Sequence, residues 1–134
     1  MSSTTTLGVA ALARGYRDGS LDPNAATEAY LAAIEQRDPH LGAFQEVYRD
    51  HALTQAGAAS AAMTSGARIG PFHGVPFALK DIVDVRGRPT TAGSAERRGQ
   101  ISPTSATIAR RLLAAGGVLV GKTKTVEFAL GGWG

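Results

Sequence analysis

The chain has 134 residues, 43% of them hydrophobic and 19% charged, with a formal net charge of +3 and no cysteine. That length and balance suit one modest globular domain rather than a disordered segment, and the missing cysteines exclude disulfides and thiolate metal sites. The basic residues are scattered, with only the short pairs Arg97-Arg98 and Arg110-Arg111 and no interleaved aromatics, so no nucleic-acid footprint is expected. No apolar run approaches the roughly 20 residues that span a bilayer. The start lacks a basic segment ahead of a continuous apolar stretch, so no secretory signal is expected and a cytoplasmic protein is the default.

Taken in order, Thr5 or Thr6 can cap a helix that carries Val9, Leu12, Ala13 and Tyr16 on one side and ends near Gly19. Asp22 is a second N-cap, with Pro23 at the first helical position and Ala26, Tyr30 and Ile34 on one stripe. That helix is expected to end before Asp38-Pro39. Residues 43–48 read as a short strand or extended link, and the Ala-rich residues 50–63 as a helix. Residues 64–71 contain Ser, Gly and Pro and read as a loop. The apolar run 75–83 reads as a strand, and 86–100 as a long polar loop. Ser102, followed by Pro103, is expected to cap a helix that buries Ile108, Leu112 and Ala115 and ends at Gly116-Gly117. Residues 118–120 form a short buried strand, and a helix or turn follows over 125–130. Helices first, then helix and strand in alternation, predict an α/β layer architecture. The few visible strands make a small sheet with open edges.

Lys80 lies inside the apolar run. A lysine held there must reach water, find a partner or lose its proton, and the last would make it a base. Alternation puts Ala78, Lys80 and Ile82 on one face and Phe77, Leu79 and Asp81 on the other. Asp81 and Asp84 flank the strand end as possible partners for Lys80 or caps for a turn, with the structural role favoured for Asp81. Gly116 to Thr123 satisfies the phosphate-loop pattern G-x-x-x-x-G-K-[ST], but a helix precedes it and the strand residues Val118-Leu119-Val120 occupy its middle, so nucleotide binding is not expected. Ser94 lacks a nucleophile elbow and is expected to satisfy local backbone groups. His40, His51 and His73 have no ligand-like spacing. Trp133 is expected in a core.

The block Gly70-Pro71-Phe72-His73-Gly74-Val75-Pro76-Phe77-Ala78-Leu79-Lys80-Asp81, continuing into Gly87-Arg88-Pro89-Thr90-Thr91-Ala92-Gly93-Ser94, resembles the amidase signature family, whose pattern runs G-P-L-H-G-I-P-I-A-x-K-D and then G-x-x-T-T-x-G-S. The stretch LLAAGGVLVG, then Lys122-Thr123 and Glu127-Phe128-Ala129, is similar to the family's L-x-x-A-G-A-x-x-x-G-K-T-N-x-x-E-F-A. The stretch AAIEQRDPHLGAF, ending at Phe44, is similar to its N-terminal helix and link. The resemblance runs from about Leu21 onward. Two departures stand out: Lys124 where the pattern commonly has Asn, and Ser105 where Asp is common.

The resemblance implies an α/β/α sandwich around a mixed sheet, incomplete in this chain. It makes residues 1–134 the N-terminal part of a single amidase-signature domain, with 1–65 mainly helical and 66–134 starting the core sheet. It implies an amide-bond hydrolase with a Ser–cis-Ser–Lys triad, in which Lys80 is the lysine and both serines fall downstream of Gly134. Leu130 and Gly131 become the expected substrate contacts. The implied ligand is a small-molecule amide, with no organic cofactor and no metal. A second copy, or the partner subunit of a tRNA-dependent amidotransferase, is the macromolecular partner the resemblance allows. The chain alone is expected to be inactive, and a non-catalytic remnant or interaction segment is the contrasting reading.

Overall fold

The N-terminal layer follows from helical spacing of apolar residues. A computed structural model of the chain describes residues 4–131. Helix α1 spans Val9–Asp18 and buries Leu12, Ala13 and Tyr16, as the spacing predicts, while Val9 stays exposed. Its cap differs from expectation. Thr5 and Thr6 belong to a 3-10 turn, and Gly8 holds the N-cap position with no side-chain bond. Helix α2 spans Pro23–Leu41, and the Asp22 carboxylate accepts the Ala25 N–H at 2.9 Å.

Helix α2 runs through Pro39 rather than stopping before it. Pro39 deprives the helix of one N–H only, in its last turn, where little helix remains to be broken. Gly42 closes the helix at φ 59°, its N–H bonded to the Asp38 carbonyl at 2.7 Å. The Asp38 carboxylate then collects the N–H groups of Ala43 and Phe44, at 2.7 and 3.1 Å. This turn sends the chain directly into strand β1, Phe44–Val47, and on to helix α3, Arg49–Thr64.

The second half builds most of the sheet. Strand β2 is Pro76–Lys80, shorter than the apolar run, because the Val83 N–H turns back to the Lys80 carbonyl at 2.9 Å. Strand β3 is Val118–Thr123, longer than the apolar triplet. The order is β1-β3-β2, with β1 antiparallel and β2 parallel to the central β3. Helix α4, Thr107–Ala114, starts later than expected. Ser102 is not its cap. Its hydroxyl is drawn into the loop, where it donates to Asp84 Oδ1 at 2.7 Å. The buried face of α4 centres on Ala109, with Leu112 and Leu113 half-buried, and, against expectation, Ile108 and Ala115 are exposed. A 3-10 turn, Glu127–Ala129, follows β3. Trp133 lies outside the described residues.

The sheet is covered on both faces, in an α/β/α arrangement. Leu31 of α2 and Ala52 and Ala56 of α3 pack on Val118 and Val120. On the other face, Ala109 of α4 packs with Leu119, Leu79, Tyr48 and Val85. Helix α1 packs on α2 and on Val75, ahead of β2. Among the described residues, no helix is long and apolar enough to cross a membrane.

Candidate active site

A bulge in β3 decides which lysine is exposed and which is buried. Phe77 pairs with Leu119, but the next residue, Ala78, pairs with Gly121, so Val120 is an extra residue on β3. Beyond the bulge Leu79 pairs with Lys122 and Lys80 with Thr123. Residues paired across a parallel ladder share a face. Without the bulge, Lys122 would follow Val118 and Val120 onto the α2–α3 face. With it, Lys122 lies on the Leu79 and Asp81 face, and Lys80 on the opposite one. Gly121 permits the bend: a Cβ there would stand 2.3 Å from the Glu46 carbonyl oxygen of β1.

Lys80 is exposed, so of the three outcomes open to a strand lysine it reaches water. It lines an open depression of about 510 Å³ with Thr123, Lys124, Thr125, Val126 and Gly131, closed on one side by the end of α2 at Leu41 and Gly42. Gly131 and Lys80 therefore share one cavity. Leu130 lies outside that lining and is 81% exposed. Between the lining residues Val126 and Gly131 the chain makes a tense turn. Phe128 and Ala129 hold φ of 51° and 58°, left-handed values unusual for side-chain-bearing residues. The Phe128 N–H bonds the Ala92 carbonyl at 2.7 Å. Gly93 (φ 73°) approaches so closely that a Cβ there would stand 2.6 Å from the Thr125 carbonyl oxygen. The Thr90–Ser94 loop and the Glu127–Phe128–Ala129 turn thus form one contact beside Lys80.

Behind that face sits a buried polar cluster. Asp81 and Lys122 are 2% and 1% exposed, and the Lys122 ammonium donates to Asp81 Oδ1 at 2.8 Å. It also reaches the Pro89 carbonyl and the Thr90 hydroxyl, both at 3.3 Å. The second carboxylate oxygen of Asp81 accepts from the Thr91 N–H, at 3.2 Å, and from the Thr91 hydroxyl. Ser102 donates to Asp84, so the Thr90 hydroxyl, 3.1 Å from Ser102 Oγ, gives its own proton to Ser102. A directed chain of donors thus runs from Lys122 through Thr90 and Ser102 to Asp84. The Ser102 hydrogen bond holds the Asp84 carboxyl below its ordinary range. Asp81 pairs with Lys122 and not with Lys80, and its main chain adds two more ties: its N–H to the Thr123 carbonyl and its carbonyl to the Ala92 N–H, each 2.9 Å. The cluster fixes the end of the strand on which Lys80 stands.

This cluster also accounts for the phosphate-loop pattern. Gly116 closes α4 at φ 87°, residues 118–123 are sheet, and Lys122 is buried in an ion pair. Ser94 is buried, with its N–H on the Thr91 carbonyl at 2.9 Å and its carbonyl accepting the Arg97 N–H at 3.3 Å; it does not line the Lys80 depression. Among the described residues, no group of His, Asp and Glu side chains could hold a metal ion. Sequence reasoning weighs Asp81 and Asp84 against Lys80 and misses Lys122 as the buried partner. A signal is nonetheless present, since Lys122 also follows an apolar run.

The Amidase family model matches residues 25–133. The A subunit of glutamyl-tRNA(Gln) amidotransferase from Streptomyces coelicolor is 44% identical over 98% of this chain and 26% of its own length. The putative amidase AmiB2 of Mycobacterium bovis is 43% identical over 92% of this chain and 26% of its own length. Among solved structures, native peptide amidase from Stenotrophomonas maltophilia superposes with a TM-score of 0.84 at 36% identity, over 92% of this chain and 26% of that one. An inhibitor-bound complex described as revealing the origins of an s-triazine catabolic enzyme superposes at 0.90 with 30% identity, over 93% of this chain and 28% of that one. The chain thus spans about a quarter of the length of the relatives it matches.

Proposed function

This chain belongs to the Amidase family, the amidase signature enzymes, and from that premise we propose that Lys80 is the base of a Ser–cis-Ser–Lys triad in an amide-bond hydrolase. The observation that carries the reading is the position of Lys80: fixed at the end of β2 by the Asp81–Lys122 cluster behind it, and open to a depression in front. In the full-length protein the Lys80 amine takes a proton from the bridging serine, and that serine takes one from the nucleophilic serine as it attacks the amide carbonyl carbon. The C–N bond breaks, the amine or ammonia leaves with a proton returned along the same chain, and water releases the acid from the acyl-enzyme. Gly131 forms part of the substrate wall, and Leu130 flanks it. Residues 1–134 alone are expected to release no ammonia, because the two serines lie outside them. The reading calls for no metal or organic cofactor, and we take the cytoplasm as the compartment in which the protein acts.

The test is acyl transfer. Full-length protein given a linear primary amide and hydroxylamine should release ammonia and form the hydroxamate. Absence of both products across a panel of linear amides would contradict the reading. A second reading is supported by the names of the relatives: the protein serves as the A subunit of a glutamine-dependent tRNA amidotransferase, producing ammonia for a second site. Under it, the full-length chain should favour glutamine over other amides and co-purify with a second, different polypeptide. A stand-alone hydrolase of equal activity would count against it.

A further inference from the structure

The depression in front of Lys80 holds a second cation. Lys124 lines it, and among the described residues its lining includes no carboxylate. The next acidic residue, Glu127, lies outside that lining. The backbone of Lys124 is pinned where β3 ends, its N–H donating to the Ala43 carbonyl at 2.8 Å. Its ammonium comes within 3.4 Å of where a Gly42 Cβ would stand, beside the C-terminus of α2. The negative end of the helix dipole favours a cation there, so the ammonium is held at the rim without being consumed. Among the described residues, the carboxylates in ion pairs are Glu35, Glu46 and Asp81, paired with Arg49, Arg88 and Lys122, and none reaches Lys80 or Lys124.

We propose that Lys124 receives a carboxylate carried by the substrate, so that the favoured substrates are amides bearing a negative charge. The inference rests on the reading of this depression as the amide site. A neutral residue at 124, such as the Asn common in the family's pattern, would supply no charge for that purpose. The anion would neutralise the Lys124 ammonium at the rim of the depression. Lys80 remains available for proton transfer, because Lys124 supplies the charge.

The experiment uses full-length protein, its K124N and K124R variants, and two amides of nearly equal size: succinamate, which carries a carboxylate, and pentanamide, which does not. Wild type should prefer succinamate in kcat/KM. The preference should fall about fivefold in K124N, the scale of one partly exposed ion pair, and survive in K124R. It should also shrink with added salt. Equal use of the two amides by wild type, or an undiminished preference in K124N, would overturn the inference while leaving Lys80 as base. Calorimetry with succinate, the product-like dianion, separates the two ideas. Succinate binding that weakens in K124N, in a protein that releases no ammonia across the panel of linear amides, would uphold the anion site and overturn the triad reading. Equal succinate affinity in wild type and K124N would overturn the anion site whatever the turnover.

Discussion

Two lysines near the sheet's end have opposite fates, and the difference rests on one residue of register. Lys80 faces an open depression, whereas Lys122 is buried against Asp81. Removing one partner of a buried ion pair strands the other charge, at a cost of about 3–5 kcal/mol. Lys122→Met is therefore expected to destabilise full-length protein by that amount in chemical denaturation, while Lys80→Met, which leaves the Asp81–Lys122 pair intact, should cost less. Equal effects would mean that the pair does not hold the strand end. Ser102→Ala removes the main cause of the lowered Asp84 pKa. A carboxylate depressed in the folded state adds stability above its unfolded value, near 3.9, and loses it as pH falls through the folded value. The variant should thus lose stability at neutral pH and show a shallower decline below about pH 4, read from denaturation midpoints across pH. That a strand carries Lys80 was legible in the sequence because the apolar run around it is long. The Asp81–Lys122 pair was not, because pairing depends on a bulge that no local pattern announces.

At the scale of elements, the sequence was most readable where a side chain has a strictly local job. Asp22-Pro23 capped α2 as expected, since both roles involve only the next few residues. Asp22→Ala should cost about 1 kcal/mol, measured by the shift in denaturation midpoint; no shift would mean that the Ala25 N–H finds water equally well. The reading failed where tertiary partners displaced local ones. Ser102-Pro103 has the form of a helix start, yet the Ser102 hydroxyl serves Asp84, and α4 begins at Thr107. Asp38-Pro39 has the form of a stop, yet the helix absorbs it in its last turn and hands the Asp38 carboxylate to the N–H groups of Ala43 and Phe44. Gly121→Ala tests the bulge itself. A Cβ 2.3 Å from the Glu46 carbonyl oxygen forces backbone to move. The expected result is destabilisation larger than the roughly 1 kcal/mol gained or lost by Gly/Ala exchange at unstrained sites, and an intact protein of unchanged stability would show that β1 yields without cost.

For the whole molecule, an α/β layer architecture was readable from the order of elements and the family from its dense motifs, while the mixed sheet with helices on both faces followed only from the family resemblance. Among the described residues, strand β2, which carries Lys80, pairs with β3 on one side only. The site therefore stands at a sheet edge in a chain about a quarter the length of its relatives. Which side chains would stand opposite Lys80 was not legible, because the resemblance assigns them to sequence beyond residue 134. The central claim is that Lys80, not Lys122, does the chemistry. The most direct measurement is ammonia release from a linear primary amide by full-length wild type and Lys80→Ala, each first shown to melt at the same temperature. We predict that Lys80→Ala loses turnover by at least about a thousandfold, the scale of a lost general base. Turnover within tenfold of wild type in a folded Lys80→Ala protein would contradict the account.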